Sequence, residues 1–242
     1  MLGIGAAVRA LVASVAVAAV LGGCTAVTDI IDQLPDGWHV PRAATGRAAD
    51  VLATLPVKGR APRTGYERAQ FGAAWTDVDR NGCDQRNQVL ARDLVDERLR
   101  RGSDCVVSSG QLVDPYTGTT VPFRRGPKTS DDVQIDHVVS LSNAWQTGAQ
   151  QLAKVAREHF ANDPLNLIAT IGALNQAKGD GDAATWLPPA AGYRCPYVAR
   201  QVAVKARYGL WVTPAERDAI LRVLQGCPGE PLPDPDALVV PS

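Results

Sequence analysis

Neither sign of charge is in excess: 25 Lys and Arg stand against 25 Asp and Glu, a formal net charge of +0 at pH 7. A chain without an overall field is not steered as a whole to a polyanion or an anionic surface, so any such recognition must rest on a local cluster. An apolar stretch long enough to cross a bilayer, about 20 residues, is also missing. Ala10 to Leu21 is the nearest approach and falls short. No Cys-x-x-Cys spacing occurs, and the three histidines stand far from the cysteines in sequence, which argues against a structural zinc site. Collagen, coiled-coil and low-complexity compositions are absent, as is any internal repeat. What remains is ordinary for a globular chain, with 45% hydrophobic and 21% charged residues, while Gly 22 and Pro 17 indicate many turns. The 242 residues suit one domain with a leader and tails.

The run Ala10 to Leu21 follows Arg9 and fits the apolar core of an export signal, about 7–15 residues. Leu21-Gly22-Gly23-Cys24 resembles the lipobox of bacterial lipoproteins, in which Cys24 becomes the acylated first residue. The expected product is exported, either held on the outer face of the cell membrane through lipid on Cys24 or released. Setting Cys24 aside leaves Cys83, Cys105, Cys195 and Cys227, an even number for an oxidising compartment. Two disulfides are expected. Of three possible pairings, Cys83 with Cys105 and Cys195 with Cys227 close the shortest loops.

The expected organisation is a signal peptide with lipobox at 1–24, a flexible tether at 25–60, a folded domain at 61–228 and a Pro-rich tail at 229–242. Apolar positions at Val89, Leu90, Leu94, Val95 and Leu99 predict a helix from Asn87 to Arg101, stopped by Gly102. Further helices are predicted from Ala144 to His159, from Tyr197 to Tyr208 and after Thr213, where Thr213-Pro214-Ala215-Glu216 carries a cap, a first-turn proline and a capping-box glutamate. Asp114-Pro115-Tyr116-Thr117-Gly118 reads as a turn between extended segments. Asp77-Val78-Asp79-Arg80-Asn81-Gly82 matches the opening of an EF-hand loop, but Gln88 stands where the charged twelfth ligand belongs. A turn anchored by a disulfide is the better reading, with Ca²⁺ left open.

Val133 to Val139 alternates apolar and polar residues and carries Asp136 and His137 side by side. Adjacent strand residues face opposite ways, so both serve one site only if the strand ends there. Asn166 follows in Leu165-Asn166-Leu167, and Asn175 in Asn175-Gln176-Ala177-Lys178-Gly179-Asp180 at the start of a short helix. Together with Ala144-Trp145, the run Phe160 to Leu167 and Trp186-Leu187-Pro188-Pro189, these motifs resemble the HNH nucleases. More narrowly they resemble the domain at the C-terminus of GmrSD restriction enzymes and of many exported actinobacterial proteins. The resemblance covers roughly two thirds of the chain.

It implies an α+β fold with a ββα-metal (HNH) core, surrounding helices and short strands, stapled by disulfides. It also implies an endonuclease that depends on Mg²⁺ (or Mn²⁺) as cofactor and acts on DNA, with RNA as the second substrate. Asp136 and Asn175 would hold the metal, His137 would act as general base, and Asn166 would brace the site. A hard cation that keeps several waters needs few protein oxygens, and an imidazole of ordinary pKa, about 6.5, accepts a proton near neutrality. Taken alone, Asp136 also reads as a turn cap and His137 as a buried histidine. Lys178 reads either as a phosphate contact or as a cation at a helix end. Arg200, Lys205 and Arg207, with Arg194, offer a basic helix face toward nucleic acid or toward solvent. Arg124, Arg125 and Lys128 carry the same ambiguity, while His159, Trp186 and Trp211 read as structural. The expected molecule is a monomer that touches membrane only through its lipid. The competing function is a cell-envelope lipoprotein that binds on a non-catalytic scaffold of the same type.

Overall fold

A computed structural model describes residues 38–238. The leader, Cys24, the first part of the tether and the last four residues of the tail lie outside the described residues. Seven α-helices and five strands are described: α1 (Ala48–Thr54), α2 (Gln85–Asp93), β1 (Leu94–Leu99), β2 (Val107–Val113), β3 (Thr120–Arg124), β4 (Val133–His137), α3 (Leu141–Gln146), α4 (Lys154–Asn162), β5 (Leu167–Ile171), α5 (Gly172–Lys178), α6 (Arg194–Arg207) and α7 (Pro214–Leu224). The mixture of helices with two small antiparallel sheets is the α+β class expected. β1, β2 and β3 form one sheet in that order, and β4 pairs with β5 from Val133↔Ile171 to His137↔Leu167.

The β4–β5 pair divides two apolar clusters because its side chains alternate between faces. Val133, Ile135, Leu167 and Ala169 join Val89, Leu90, Leu112 and Phe123 on one side. Ile168 joins the larger cluster, which holds Phe71, Phe160, Tyr197, Val202 and Ile220. α5 follows β5 directly and lies beside β4, while α3 and α4 intervene between the two strands; an antiparallel strand pair with a helix against it is consistent with the ββα core that the resemblance implies.

Local chemistry sets the ends of these elements. Asp84 accepts from the Asn87 amide at the start of α2, and Ser140 accepts from the Asn143 amide at the start of α3. Thr213 and Glu216 close the expected capping box of α7, with Pro214 in its first turn.

Several expectations are corrected. The helix predicted over Asn87 to Arg101 ends at Asp93, and Leu94, Val95 and Leu99 enter β1, where pairing with β2 replaces helical bonds. The helix predicted over Ala144 to His159 is two helices separated by Gly148, whose φ of 129° no helix accommodates. Within the segment read as a flexible tether, residues 48–54 form α1, and its buried Ala48 and Leu52 pack in the main core. The Pro-rich tail returns as well: Leu232 is buried, and its amide donates to the Gly46 carbonyl at 2.8 Å. The disulfides are Cys83–Cys105 and Cys195–Cys227, the shortest-loop pairing.

Candidate active site

Asp136 and His137 end β4, and the chain leaves the strand immediately after them: the Val138 amide donates to the Asn166 carbonyl, and Ser140 caps α3. That exit lets two residues of opposite strand faces line one cleft. Asn166 holds the exit in place. Its Oδ1 accepts from the Val139 amide at 2.9 Å, and its Nδ2 donates to the carbonyls of Val139 and Phe160.

The Asp136 carboxylate is buried and meets two donors. Tyr116 Oη donates to Oδ2 at 2.6 Å, and Lys178 Nζ donates to Oδ1 at 2.9 Å. Lys178 is itself buried and donates a second bond to the His137 carbonyl at 2.7 Å. One ammonium therefore ties α5 to the end of β4. Burial, with Asp136 beside it, raises the Tyr116 phenol well above its ordinary value, so it stays protonated and remains a donor.

His137 Nε2 lies 2.9 Å from the Ala161 carbonyl. A carbonyl only accepts, so Nε2 carries the proton and the neutral ring keeps its lone pair on Nδ1. Burial lowers the His137 pKa to about 3, and the nearby Arg68 pushes in the same direction while the Ala161 bond works against them. The ring is thus a neutral imidazole near neutrality, not the half-titrated group of ordinary pKa that the sequence suggested. Trp75 stacks at 6.2 Å with an interplanar angle of 13°, and its own φ of 62° is rare for so large a side chain.

Asn175 lies one α5 turn before Lys178, on the same side of the helix. Its Nδ2 donates to Gln134 Oε1 at 2.9 Å, which leaves the amide oxygen as the free end. Gln134 and Asp136 share a strand face, so α5 meets both through residues three apart. A polar cleft of about 390 Å³ is lined by Asp136, His137, Asn175, Ser142 and Asp180 together with Arg63, Tyr66 and Arg68. Asp180 accepts from Ser142 Oγ at 3.1 Å.

The expected basic face is corrected. Arg200 is buried and donates to the carbonyls of Pro164, Leu165 and Leu167, each at 2.7 Å. Lys205 is buried against Glu216 and the Trp211 carbonyl, and Arg207 pairs with Asp163 at 3.2 Å. Lys178 points inward to Asp136. These cations satisfy interior acceptors, so none of the four presents a free head group to a polymer. Arg125 likewise donates to the Val107 carbonyl and to Asn87. Trp186 packs edge-on against Tyr116 and Tyr197, Trp211 is buried, and His159 lies against Trp38 with ring centroids 5.0 Å apart and planes tilted by 48°, all structural as read.

The EF-hand-like stretch is a closed turn. Asp77 accepts from the amides of Asn81 and Gly82, Asp79 accepts from Gln88 Nε2, and Cys83 is bonded to Cys105. Among the described residues, the one trio of His, Cys, Asp or Glu clustered closely enough for a metal is Cys195, Cys227 and Glu230, and its two cysteines are joined as a disulfide.

Sequence reasoning missed Tyr116, Gln134, Arg63, Tyr66 and Arg68. Gln134 was accessible through its two-residue offset from Asp136. Tyr116 was seen only as part of a turn, and nothing local marks the arm around Tyr66.

The family described as the C-terminal domain of GmrSD restriction endonucleases matches residues 84–223. A secreted, uncharacterised protein of Arthroderma benhamiae is 37% identical over 196 residues, covering 80% of this chain and 90% of that protein. No solved structure matches.

Proposed function

Because the chain belongs to the family of GmrSD restriction endonuclease C-terminal domains, we propose that it is an exported, metal-dependent endonuclease of the HNH type that hydrolyses phosphodiester bonds of DNA, with RNA as the second substrate to be tested. The observation that carries this reading is a single polar cleft in which Asp136 and Asn175 stand beside a neutral His137. The two disulfides and the secreted relative support export. Lipid attachment at Cys24 rests on the sequence motif alone.

The donor set fits a hard divalent cation such as Mg²⁺ or Mn²⁺. An ionised carboxylate has about four lone-pair sites, of which Tyr116 and Lys178 use two on Asp136. The Asn175 amide oxygen is left over by its bond to Gln134. One carboxylate and one amide oxygen suffice for an ion that keeps several waters and takes the rest of its ligands from phosphate. Such an ion, when bound, supplies charge stabilisation at the phosphate and the leaving oxygen.

The remaining work falls to the protein. His137 Nδ1 is the atom placed to receive the proton of the attacking water; burial keeps the ring neutral with that lone pair free, while it weakens the ring as a base relative to an imidazole of ordinary pKa. Lys178 and Tyr116 position Asp136, and Asn166 fixes the strand exit on which both acid and base depend.

Incubation of the mature protein with plasmid DNA and, separately, RNA in Mg²⁺ tests the reading. Nicking followed by linearisation, abolished by excess chelator and showing little sequence preference, is expected. Cleavage indifferent to chelator removes the metal from the scheme, and a folded protein that leaves both polymers intact removes the nuclease.

A further inference from the structure

The cleft has a wall that the matched region does not contain. Arg63, Tyr66 and Arg68 come from residues 60–72, upstream of residue 84 where the family match begins, yet they line the cleft together with Asp136, His137 and Asn175. Arg68 also lines a second, water-sized cavity of about 20 Å³ with His137, Trp75 and Asn162, so Arg68 and His137 share two adjoining spaces.

This arm is firmly attached. The Ala61 amide donates to the Gln146 carbonyl at 2.8 Å, Arg60 pairs with the buried Asp182 at 2.7 Å, and Trp145 Nε1 donates to the Thr64 carbonyl. Arg157 reaches the Gln70 carbonyl at 2.8 Å, and Phe71 is buried between Trp145 and Phe160. Tyr66 packs edge-on against Phe71 and Trp145, and the Arg63 guanidinium lies 5.0 Å over its ring.

Arg63 and Arg68 differ from the cations of α6. Both are exposed, and neither makes an ion pair among the described residues. They stand at the rim of the cleft, and apart from the Arg63 contact with the Tyr66 ring neither head group makes an ion pair or side-chain hydrogen bond among the described residues. With Lys178, Arg200, Lys205 and Arg207 spent on interior acceptors, a polyanion entering this cleft meets Arg63 and Arg68 first.

We propose that residues 60–72 form a phosphate-binding wall of the active cleft, in which Arg68 engages the phosphate being cleaved and Arg63, supported by Tyr66, engages a neighbouring phosphate of the strand. This rests on the nuclease reading and deepens it, placing the polymer's backbone contacts outside the matched region. The guanidinium is suited to the task, since its fork matches phosphate oxygens in pairs. Arg68 beside His137 also adds a cation where negative charge accumulates as the phosphodiester is attacked.

The test measures binding of a fluorescein-labelled DNA duplex to the full mature chain in excess chelator across a potassium chloride series, with plasmid cleavage in Mg²⁺ run in parallel. Variants are Arg63→Gln, Arg68→Gln, Arg68→Lys, the double glutamine variant, and Arg217→Gln as a charge-matched control from α7. Each phosphate contact contributes about 0.9 to the slope of log affinity against log salt on duplex DNA. Each glutamine variant is expected to flatten the slope by about 0.9 and the double variant by about twice that. Arg217→Gln and Arg68→Lys should keep the wild-type slope. Arg68→Gln should also lower kcat by roughly 10-fold or more, and Arg63→Gln should act mainly through KM.

Unchanged slopes in folded glutamine variants, beside a wild type that cleaves, overturn the wall and leave the nuclease standing. A wild type that binds with the predicted slopes but does not cleave keeps Arg63 and Arg68 as phosphate contacts, and removes the nuclease together with the place of Arg68 at a scissile phosphate. A wild type that neither binds nor cleaves removes both.

Discussion

At Asp136 a buried ammonium and a buried phenol converge on one carboxylate, so the residue is as much a structural hub as a candidate ligand. Removing one partner of a buried ion pair leaves an uncompensated charge and costs about 3–5 kcal/mol. Lys178→Met should therefore lower stability by about that amount in urea unfolding, and the double variant Asp136→Asn with Lys178→Met should regain most of it. Wild-type stability in Lys178→Met alone would mean the pair is not formed. His137 makes a second prediction. Its folded pKa, about 3, lies below the ordinary unfolded value of about 6.5, so between these limits the unfolded chain binds a proton that the folded chain does not. Stability is then fully present above 6.5 and falls as pH drops, by up to about 1.4 kcal/mol per pH unit. His137→Ala should flatten the curve between pH 6.5 and 5, and parallel curves for variant and wild type would refute the burial. Asp136, His137, Asn166 and Asn175 were marked by the resemblance of their motifs to the HNH nucleases, and three of them, Asp136, His137 and Asn175, line one cleft. Tyr116 and Arg68 were not, since they reach the site from other segments through the tertiary arrangement. Arg200 and Lys205 misled because charge suggests a surface, whereas here each caps interior carbonyls.

Among the elements, α7 was the most readable, because Thr213, Pro214 and Glu216 are a local signal that needs no partner. α2 and β1 were the least. The apolar stripe through Val89, Leu90 and Leu94 is helical in period, but Leu94↔Leu112 and Leu99↔Val107 pairing with β2 captures its second half. Such long-range pairing leaves no local trace. The entry to α5 depends on Gly172: a Cβ there would fall inside contact distance of the Asp131 carbonyl oxygen, and the Gly172 amide donates to the Asp132 carbonyl at 2.9 Å. Gly172→Ala should displace α5 and with it Asn175 and Lys178, lowering both the melting temperature and the cleavage rate. A variant matching wild type in both would show that α5 is not held at that point. By contrast, Thr213→Ala should cost only about 1 kcal/mol, the worth of a cap, with cleavage unchanged.

Across the whole molecule, the ends of the described chain are held by packing and by covalent staples. The disulfides close separations of 22 and 32 residues, and each is worth about 2–4 kcal/mol through the unfolded state. Reduction should lower the melting temperature of exported protein, and mass spectrometry finding four free thiols before reduction would contradict the pairing. α1 packs against α6 and α7, and Leu232 of the returning tail is buried in the same core, which is why a segment that reads as linker is ordered. The central claim is the division of labour within one cleft, and a metal titration of cleavage rate tests it most directly. It compares wild type with His137→Ala, Asp136→Asn and Asn175→Ala, each checked by thermal melt. His137→Ala should lose roughly 10²-fold or more in the saturated rate with its half-saturating Mg²⁺ concentration nearly unchanged. Asp136→Asn and Asn175→Ala should shift half-saturation to higher metal concentration. A folded His137→Ala with the wild-type saturated rate, or ligand variants with the wild-type metal curve, would contradict the account.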